Sequence, residues 1–430
     1  MKVLFVCMAH NSHYFPLVPM AWALRTAGHD VRVAAPPELT GTVTQTGLTA
    51  VPVGVAEWNE NGDTRASEMY EQLLLAGGSD YVQHFDWRDQ GGWTWEGLLT
   101  LENLMVSALY DPLNNSTMID NLVAFARDWQ PDLVIRENHT HAGGIVARVI
   151  GAAHARLVYG PDITTRARQV FTRQAEAQPP EHREDPTGEW LERSLQRFGC
   201  HFDDEILTGQ WTIDPTPPST RLDLGLHTVG VRYVPFNGPS ELPDWLRTPP
   251  ARPRICLTGG LAARDGGEPA FSMADILEGM ADLDVDIIAT LDAAQFDQVP
   301  VVPDNTRVVE FVPFHELLPT CAAVVHHGGS GTRATAEFHG VPQVIVAIGW
   351  DTLVKVPRLE ELGVALSVSA AEVTPAILRE KVSRVLEDPS FTEAARRLRA
   401  EVLAQPTPND IVPLLEKLTT EHRTFAADLR

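Results

Sequence analysis

The sequence predicts an α/β protein built from two Rossmann-like, doubly wound parallel sheets that face one interdomain cleft. Three observations lead to this fold class. The chain has 430 residues, too many for one ordinary core, and 44% of them are hydrophobic. Short apolar runs of buried-strand type alternate with helical patterns in both halves of the sequence. A stretch rich in proline, residues 235–254, lies between those halves.

The first half opens with a strand–helix–strand unit. Residues 2–8 form an apolar run, and after a polar loop the residues of 17–24 show one apolar helical face. Gly28 ends that helix, and residues 31–34 start a second strand. Such a unit predicts a parallel sheet with a right-handed crossover.

The middle of the first half lacks a regular hydrophobic pattern. Residues 55 to 120 show no regular pattern, and we predict an irregular, functional insertion. Several tryptophans lie in this stretch: Trp58, Trp87, Trp93 and Trp95. Residues 133–135 then form a clear strand, followed by an apolar helix near 144–150.

The second half repeats the same alternation. Its apolar runs are residues 255–257, 285–288, 308–311, 323–325 and 344–346. We therefore expect an N-terminal domain at 1–234, a linker at 235–254 and a C-terminal domain at 255–405. The remaining residues, 406–430, are predicted to form a helical segment that packs back on the N-terminal domain.

The net charge of the chain limits the classes of partner that it can bind. The formal net charge is −23, which argues against nucleic acid and anionic membranes, because both favour Lys and Arg patches. No apolar stretch approaches the roughly 20 residues that span a bilayer, and the four cysteines show no C-x-x-C spacing. We expect a cytoplasmic protein, in which any phosphate ligand needs a locally positive site.

The strongest local motif is His326-His327-Gly328-Gly329-Ser330-Gly331-Thr332, between an apolar strand and a helical pattern. Small residues let a ligand approach the backbone, and the free amides of the following helix attract an anion. This arrangement could hold a diphosphate without Lys or Arg. From spacing alone a plain tight turn stays open as the alternative, whereas a Walker A loop is excluded because Gly-Lys-Ser/Thr is missing.

This motif, continued by His339-Gly340-Val341-Pro342-Gln343 and Gly349-Trp350-Asp351, resembles the donor-site signature of GT-B glycosyltransferases. The nearest resemblance is to bacterial antibiotic-tailoring enzymes that attach deoxysugars to macrolide or anthracycline aglycones. It covers almost the whole chain, including Ser12-His13, residues 129–133 and residues 231–238. The resemblance implies an inverting transferase that uses a nucleoside-diphosphate sugar, with dTDP as the expected carrier, as substrate and no cofactor.

The resemblance also assigns a donor site. The residues implied are Thr258, Gly259, Phe311, Val312, His327, Gly329, Ser330, Gly331, Thr332 and Asp351. His327 and the amides after it would hold the diphosphate, Phe311 and Val312 the base, and Asp351 the sugar. Many relatives have Gln after this Asp to recognise fully hydroxylated sugars. This chain has Thr352 there, which is compatible with a deoxysugar.

His13 is the implied general base, placed in the loop after the first strand. The alternative from position alone is an ordinary loop histidine. Such a base needs an orienting acceptor on its other ring nitrogen. Glu137 lies within about one position of the acidic partner of the resembled family, and its alternative is a surface carboxylate.

The acceptor should be a bulky aglycone lined by Trp93, Trp95, His139 and His141. Trp93-Thr94-Trp95-Glu96 also lies in a segment resembling relatives that need an auxiliary activator similar to a haem-free cytochrome P450. A homodimer stays open.

We expect no metal site. The acidic spacing of Asp282, Asp284 and Asp286 is typical of a turn between a helix and a strand, and His139 and His141 lack a third ligand. Two other functions remain open: a GT-B nucleotide-sugar epimerase, and a catalytically silent sugar-nucleotide-binding regulator.

Overall fold

Two parallel β-sheets form the framework of the computed structural model, which describes residues 1–55, 93–260 and 272–424. The first sheet contains β1 (Lys2–Val6), β2 (Asp30–Ala35), β3 (Thr49–Pro52), β4 (Leu133–Arg136), β5 (Ala153–Leu157), β6 (Trp211–Asp214) and β7 (Thr228–Gly230). The second contains β8 (Arg254–Thr258), β9 (Asp286–Thr290), β10 (Thr306–Val309), β11 (Ala323–His326), β12 (Gln343–Ala347) and β13 (Ala365–Ser369).

Both sheets reverse their strand order at the middle. The order is β3-β2-β1-β4-β5-β6-β7 in the first sheet and β10-β9-β8-β11-β12-β13 in the second. The reversal falls between β1 and β4, where Val6 pairs with Arg136, and between β8 and β11, where Thr258 pairs with His326. Ligands of doubly wound folds bind beyond the carboxyl ends of the strands at such a switch point. The fold class predicted from the sequence is confirmed.

Helices cover both faces of the first sheet. They are α1 (Asn11–Tyr14), α2 (Val18–Thr26), α3 (Thr40–Gln45), α4 (Trp95–Met105), α5 (Ser116–Trp129), α6 (Ala142–Ile150), α7 (Ile163–Glu176), α8 (Pro186–Gln196) and α9 (Glu205–Thr208). α5 shows why they form: the Asn115 side chain caps its first turn, and its buried residues recur along one face. Burying that face against β1 and β4 holds the helix on the sheet.

The second sheet is covered in the same way. Its helices are α10 (Met273–Met280), α11 (Ala293–Asp297), α12 (Phe314–Leu317), α13 (Ser330–His339), α14 (Gly349–Glu361), α15 (Pro375–Glu387) and α16 (Pro389–Ala404). Between the two sheets, the proline-rich stretch contains a single 3₁₀ turn, Asp244–Arg247, and no α-helix or strand up to Arg254. Proline fixes φ and lacks an amide donor, which explains this conformation.

The last helix, α17 (Pro408–His422), returns to the first sheet. Its buried residues Ile411, Val412, Leu415 and Leu418 belong to the same apolar cluster as the residues of α2 and β5. Beyond it the Thr424 amide donates to the Gly151 carbonyl. The chain therefore crosses between the two halves twice.

The prediction of irregular structure for 55 to 120 is wrong where the structure describes that stretch. α4 continues through a π-helical segment, Val106–Tyr110, and a last turn, Asp111–Leu113. The Thr94 hydroxyl caps α4 by accepting from the Gly97 amide, a signal hidden among the tryptophans. Trp58 and Trp87 lie outside the described residues.

The predicted loop around His13 is also wrong, since helical turns begin already at Asn11. The His10 side chain caps them by accepting from the Ser12 amide, a role that histidine seldom has. Within the described residues, no helix is both long enough and apolar enough to span a membrane.

Candidate active site

The switch point of the first sheet holds an imidazole beside a buried carboxylate. His13 lies in α1, after β1, and Glu137 directly follows β4, so adjacent strands bring together residues 124 positions apart. The His13 Nδ1 lies 3.0 Å from the Glu137 Oε2. Because an ionised carboxylate only accepts hydrogen bonds, the proton of this bond belongs to the His13 Nδ1, which leaves Nε2 as the ring nitrogen that can exchange a proton with a ligand.

Glu137 is fully buried and is held by three donors. Besides His13, the His139 amide donates to Oε2 at 3.0 Å, and the Thr140 hydroxyl donates to Oε1. Burial alone would raise the pKa of Glu137, but the hydrogen bond and charge of His13, together with the other partners, hold it well below its usual range. Glu137 is therefore an ionised group that orients His13.

Aromatic rings enclose His13 and leave its side chain 18% exposed. The ring centroid of Tyr159 lies 5.0 Å away, and those of His10 and His139 lie 5.6 and 5.7 Å away. Burial lowers the pKa of His139 to about 4, so that its imidazole is neutral at pH 7. His139 thus contributes a polar but uncharged ring to the surroundings of His13.

At the switch point of the second sheet, the two histidines of the motif have different surroundings. His326 is buried, accepts from the Gly328 amide at 3.1 Å and contacts Gln343 through Nε2 at 2.9 Å. Burial lowers its pKa to about 3, so this ring is a neutral part of the framework. His327 is half-buried at the end of the strand.

Glycines surround the His327 ring. A Cβ on Gly329 would lie 2.5 Å from the His327 Nε2, and one on Gly260 would lie 2.2 Å from its Cε1. Gly260 and Gly328 also have φ of +80° and +93°, a conformation that favours glycine. These glycines let the ring lie between the loops that follow β8 and β11.

The first turn of α13 presents free amides beside that ring. Gly329 is the N-cap, and no side chain among the described residues caps the helix, so the amides of Ser330, Gly331 and Thr332 have no capping partner there. A helix N-terminus of this kind stabilises an anion by about 0.3–1 kcal/mol when exposed, and by up to about 2 kcal/mol when partly buried. The turn suits a phosphate group.

The other predicted donor residues lie around the same edge. Thr258 and Gly259 are buried at the end of β8, and the Thr258 hydroxyl accepts from the Gly260 amide at 3.0 Å. Phe311 is 42% exposed just after β10, next to the buried Val312.

Asp351 lies in the first turn of α14; its side chain is not among those described. Its neighbour Thr352 is buried, and a Cβ on Gly328 would lie 2.3 Å from the Thr352 methyl. The residue that departs from the common Asp-Gln pattern therefore packs under the glycine loop.

The segment Tyr159-Gly160, after β5, connects the two switch points across the cleft. Tyr159 contacts the His13 ring, while a Cβ on Gly160 would lie 3.2 Å from the Ser330 Oγ. The same Cβ would lie 3.1 Å from Arg333, which forms a buried ion pair with Glu337. His13 and the first turn of α13 therefore border one cleft.

A cavity of about 600 Å³ lies behind this cleft, between the first sheet and helices α4, α7, α8 and α9. Many of its lining residues are polar and uncharged: Asn138, Thr164, Thr165, Gln169, Thr172, Thr187, Thr208 and Gln210. Tyr110, in the π-helical segment, and His141 also line it, with ring centroids 4.5 Å apart. Such π-helical segments are rare and often found at functional sites.

His141 is 4% exposed, and neither of its ring nitrogens has a hydrogen-bond partner among the described residues. Burial lowers its pKa well below the usual value. A neutral, unpaired imidazole in a cavity wall can donate to or accept from a bound ligand.

The four residues predicted to bind the acceptor therefore lie in two different places. His141 lines the cavity, and His139 lies between His13 and Tyr110, 6.3 Å from the latter ring. Trp95 instead stacks on Phe171, with centroids 5.1 Å apart, and half-buried Trp93 packs on the same small cluster. Neither tryptophan is among the lining residues.

Sequence reasoning missed Thr140, Tyr110 and the Tyr159-Gly160 segment. Thr140 lies only three residues after Glu137, so its contact with that carboxylate is local in the sequence. Tyr110 and Tyr159 had no local signal, since their roles depend on contacts with residues distant in the sequence.

Two Rossmann-like domains that face one cleft have the architecture of a GT-B glycosyltransferase. Residues 22–260 match the N-terminal domain, and residues 274–418 the C-terminal domain, of the erythromycin biosynthesis protein CIII-like proteins. The chain belongs to this glycosyltransferase family.

Individual relatives agree over the full length. The chain is 49% identical to the 10-deoxymethynolide desosaminyltransferase of Streptomyces venezuelae, covering 100% of both chains. It is 45% identical to the aklavinone 7-beta-L-rhodosaminyltransferase of Streptomyces galilaeus, covering 98% of this chain and 97% of the relative. The structure of glycosyltransferase VinC in complex with dTDP has a TM-score of 0.83 and 37% identity, covering 98% of this chain and 100% of VinC.

Proposed function

We propose that this glycosyltransferase moves a deoxysugar from a dTDP-sugar to a hydroxyl of a macrolide or anthracycline aglycone, with inversion at the anomeric carbon. The observation that carries the proposal is the cleft that pairs His13 and Glu137 with the free first turn of α13. The relatives named above support the substrate classes, since they transfer desosamine to 10-deoxymethynolide and rhodosamine to aklavinone. A nucleotide-sugar epimerase or a silent regulator finds no support in these relatives.

His13 is the proposed general base. Its Nε2 takes the proton of the acceptor hydroxyl while that oxygen forms a bond to the anomeric carbon of the sugar. The bond from that carbon to the phosphate oxygen breaks, and dTDP leaves with the electron pair. Glu137 stabilises the imidazolium that forms, and its hydrogen bond keeps Nε2 directed away from β4. A positioned base of this kind contributes about 10²–10⁴-fold in rate.

The donor side stabilises the leaving group. The amides of Ser330, Gly331 and Thr332 and the His327 ring are the proposed phosphate contacts. Preorganised donors act most strongly on charge that develops in the reaction, and losing one typically costs about 2.7–4 kcal/mol. Phe311 offers an exposed ring for the base, and Thr258, Gly259, Val312 and Asp351 complete the proposed donor site.

The cavity of about 600 Å³ is the proposed aglycone site. Its volume falls within the range of sites for small molecules, and its hydroxyl and amide groups match the scattered oxygens of a polyketide ring. His141 is the proposed polar contact, and His139 lies between that cavity and His13.

The decisive experiment incubates the pure protein with a panel of dTDP-deoxysugars and polyketide aglycones, 10-deoxymethynolide and aklavinone among them. Mass spectrometry should show aglycones that gain one sugar, together with free dTDP. An epimerised donor without an acceptor, or tight dTDP binding without turnover in any combination, would contradict the proposal.

An auxiliary activator similar to a haem-free cytochrome P450 stays part of the proposal. Trp93 and Trp95 are half-buried at the start of α4, where they could contact a protein partner. Activity of the chain alone is to be compared with its activity in crude host lysate. Equal rates would show that the reaction needs no activator protein.

A further inference from the structure

Arg136, the last residue of β4, has unusual surroundings for a charged side chain. It is 0% exposed, and its guanidinium donates to peptide carbonyls on two separate segments. Nη1 donates to the carbonyls of Glu137 and Asn138, both at 2.8 Å. Nη2 donates to the carbonyls of Ile206, at 3.3 Å, and Leu207 in α9.

No carboxylate in the described part of the chain forms an ion pair with this guanidinium, and its Nε has no partner there. Burial and the nearby Arg156 lower the pKa of Arg136 to about 9. The charges of Glu137 and Asp162 favour its charged form, but a buried cation without a direct ion pair is costly, so an apolar residue at this position would suit a purely structural role better.

The fold makes room for this side chain. A Cβ on Gly143 in α6 would lie 2.8 Å from the Arg136 Cβ and 3.4 Å from its Cδ. Glycine is unfavourable inside a helix by about 0.5–1 kcal/mol relative to alanine, so its presence in α6 needs a packing reason. The close approach of α6 to residue 136 in β4 and to Val6 in β1 provides that reason, and the stem of the arginine lies in the same contact.

Arg136 fixes the start of the segment that holds the Glu137 carboxylate. After residues 137 and 138, whose carbonyls it binds, the chain turns so that the His139 amide and the Thr140 hydroxyl reach the Glu137 side chain. We propose that Arg136 is a positioning residue for the transfer reaction: it braces residues 137–140 against α9, so that Glu137 faces His13. This inference rests on the proposed roles of His13 and Glu137.

The same contacts join the proposed base to the aglycone cavity. Asn138 and Leu207, whose carbonyls Arg136 binds, both line that cavity. A planar guanidinium can bind both segments at once, whereas a lysine ammonium is a point charge that cannot reproduce the fork. Arg136→Lys is therefore the most informative substitution, because it keeps the charge and removes the fork.

The test is a double-mutant cycle with the donor–aglycone pair that is active in the panel. Arg136→Lys should lower kcat about tenfold or more while KM for the donor and the Kd of dTDP stay within about twofold. In a Glu137→Gln background the same change should lower kcat by less than about twofold, because the group through which it acts is already lost.

Arg148→Lys is the matched control, since Arg148 lies in α6 and pairs with Asp203 and with Glu205 of α9, but forms no hydrogen bond or ion pair with residues 137–140. Its kcat should equal that of the wild type. Gly143→Ala, which presses on Arg136 without changing a charge, should reproduce the selective loss of kcat. Thermal melting would identify variants that fail to fold.

The possible outcomes distinguish failure of the Arg136 positioning role from failure of the proposed roles of His13 and Glu137. An equal loss of kcat from Arg136→Lys in the wild-type and Glu137→Gln backgrounds would overturn the positioning role alone. If Glu137→Gln by itself keeps the wild-type kcat, the proposed pairing of His13 with Glu137 has no catalytic role, and the inference from Arg136 falls with it.

Discussion

The two switch points occupy equivalent places in equivalent sheets, yet they are built from different chemical groups. In the first sheet the strands end in a histidine and a buried carboxylate braced by a buried arginine. In the second they end in glycines, a helix N-terminus and an imidazole between two loops. One edge is made of oriented side chains, the other largely of backbone.

This difference follows from what each edge is proposed to do. Moving a proton needs a titratable group with one defined tautomer, which only a fixed partner can supply. Holding a diphosphate needs N–H groups and positive potential, which a helix start supplies without any cation. A chain with a formal net charge of −23 can thus bind an anion without a cluster of Lys or Arg.

The largest expected effect comes from removing the proton acceptor. His13→Ala should lower kcat by at least about a hundredfold, because a positioned base contributes about 10²–10⁴-fold. Its Kd for dTDP, measured by titration calorimetry, should stay within about twofold of the wild type. His182→Ala, at an exposed histidine, is the control. Near-wild-type turnover by His13→Ala would remove the proposed base.

A smaller effect is expected at the switch point of the second sheet, where a substitution should change the Kd of dTDP and not kcat. Gly329→Ala should weaken dTDP binding by about tenfold or more, because the new Cβ would lie 2.5 Å from the His327 Nε2 and displace that ring. The φ of −55° at Gly329 is accessible to alanine, so backbone strain does not contribute.

Gly41→Ala, where a Cβ would meet no atom of the described residues within 4 Å, is the control for this substitution. If Gly329→Ala lowers kcat and leaves the Kd of dTDP unchanged, the division of labour between the two edges is wrong.

The smallest effect concerns stability rather than catalysis. His141 is buried with its pKa well below the usual value, so below about pH 6.5 the unfolded chain takes up a proton that the folded chain does not. Stability therefore falls with falling pH. His141→Phe, which keeps a ring beside Tyr110, removes the contribution of this residue to that dependence.

Between pH 6.5 and 5, the variant should gain on the wild type by up to about 1.4 kcal/mol per pH unit. Thermal melting at several pH values measures the difference. An identical pH dependence of the melting temperature in both proteins would show that His141 is not held neutral.

Much of the framework could be predicted from the sequence. Apolar runs and helical faces indicated the first β-α-β unit and most strands of the second sheet. The strands β3, β5, β6, β7 and β13 were not predicted, because polar residues or short length break their apolar pattern. Helix α4 was missed because aromatic residues at its start obscured the Thr94 cap.

The site was predicted unevenly for a similar reason. The glycine motif is contiguous, so its meeting with a strand end and a helix start could be read directly. Glu137 was located, but only the register of β1 with β4 shows that its carboxylate reaches His13. Arg136 carried no signal, since two of its partners lie 70 and 71 positions further along the chain. The roles of Trp93 and Trp95 stay predictions.

The return of α17 to the first sheet has a consequence for biosynthesis. Leu415 and Leu418 complete the apolar layer against α2, so a helix of the first domain is covered only by residues that are synthesised after the second domain. Until residues 408–422 emerge, a strip of the nascent first domain stays uncovered and open to chaperones or to self-association. Completion of the first domain is thereby coupled to synthesis of the second.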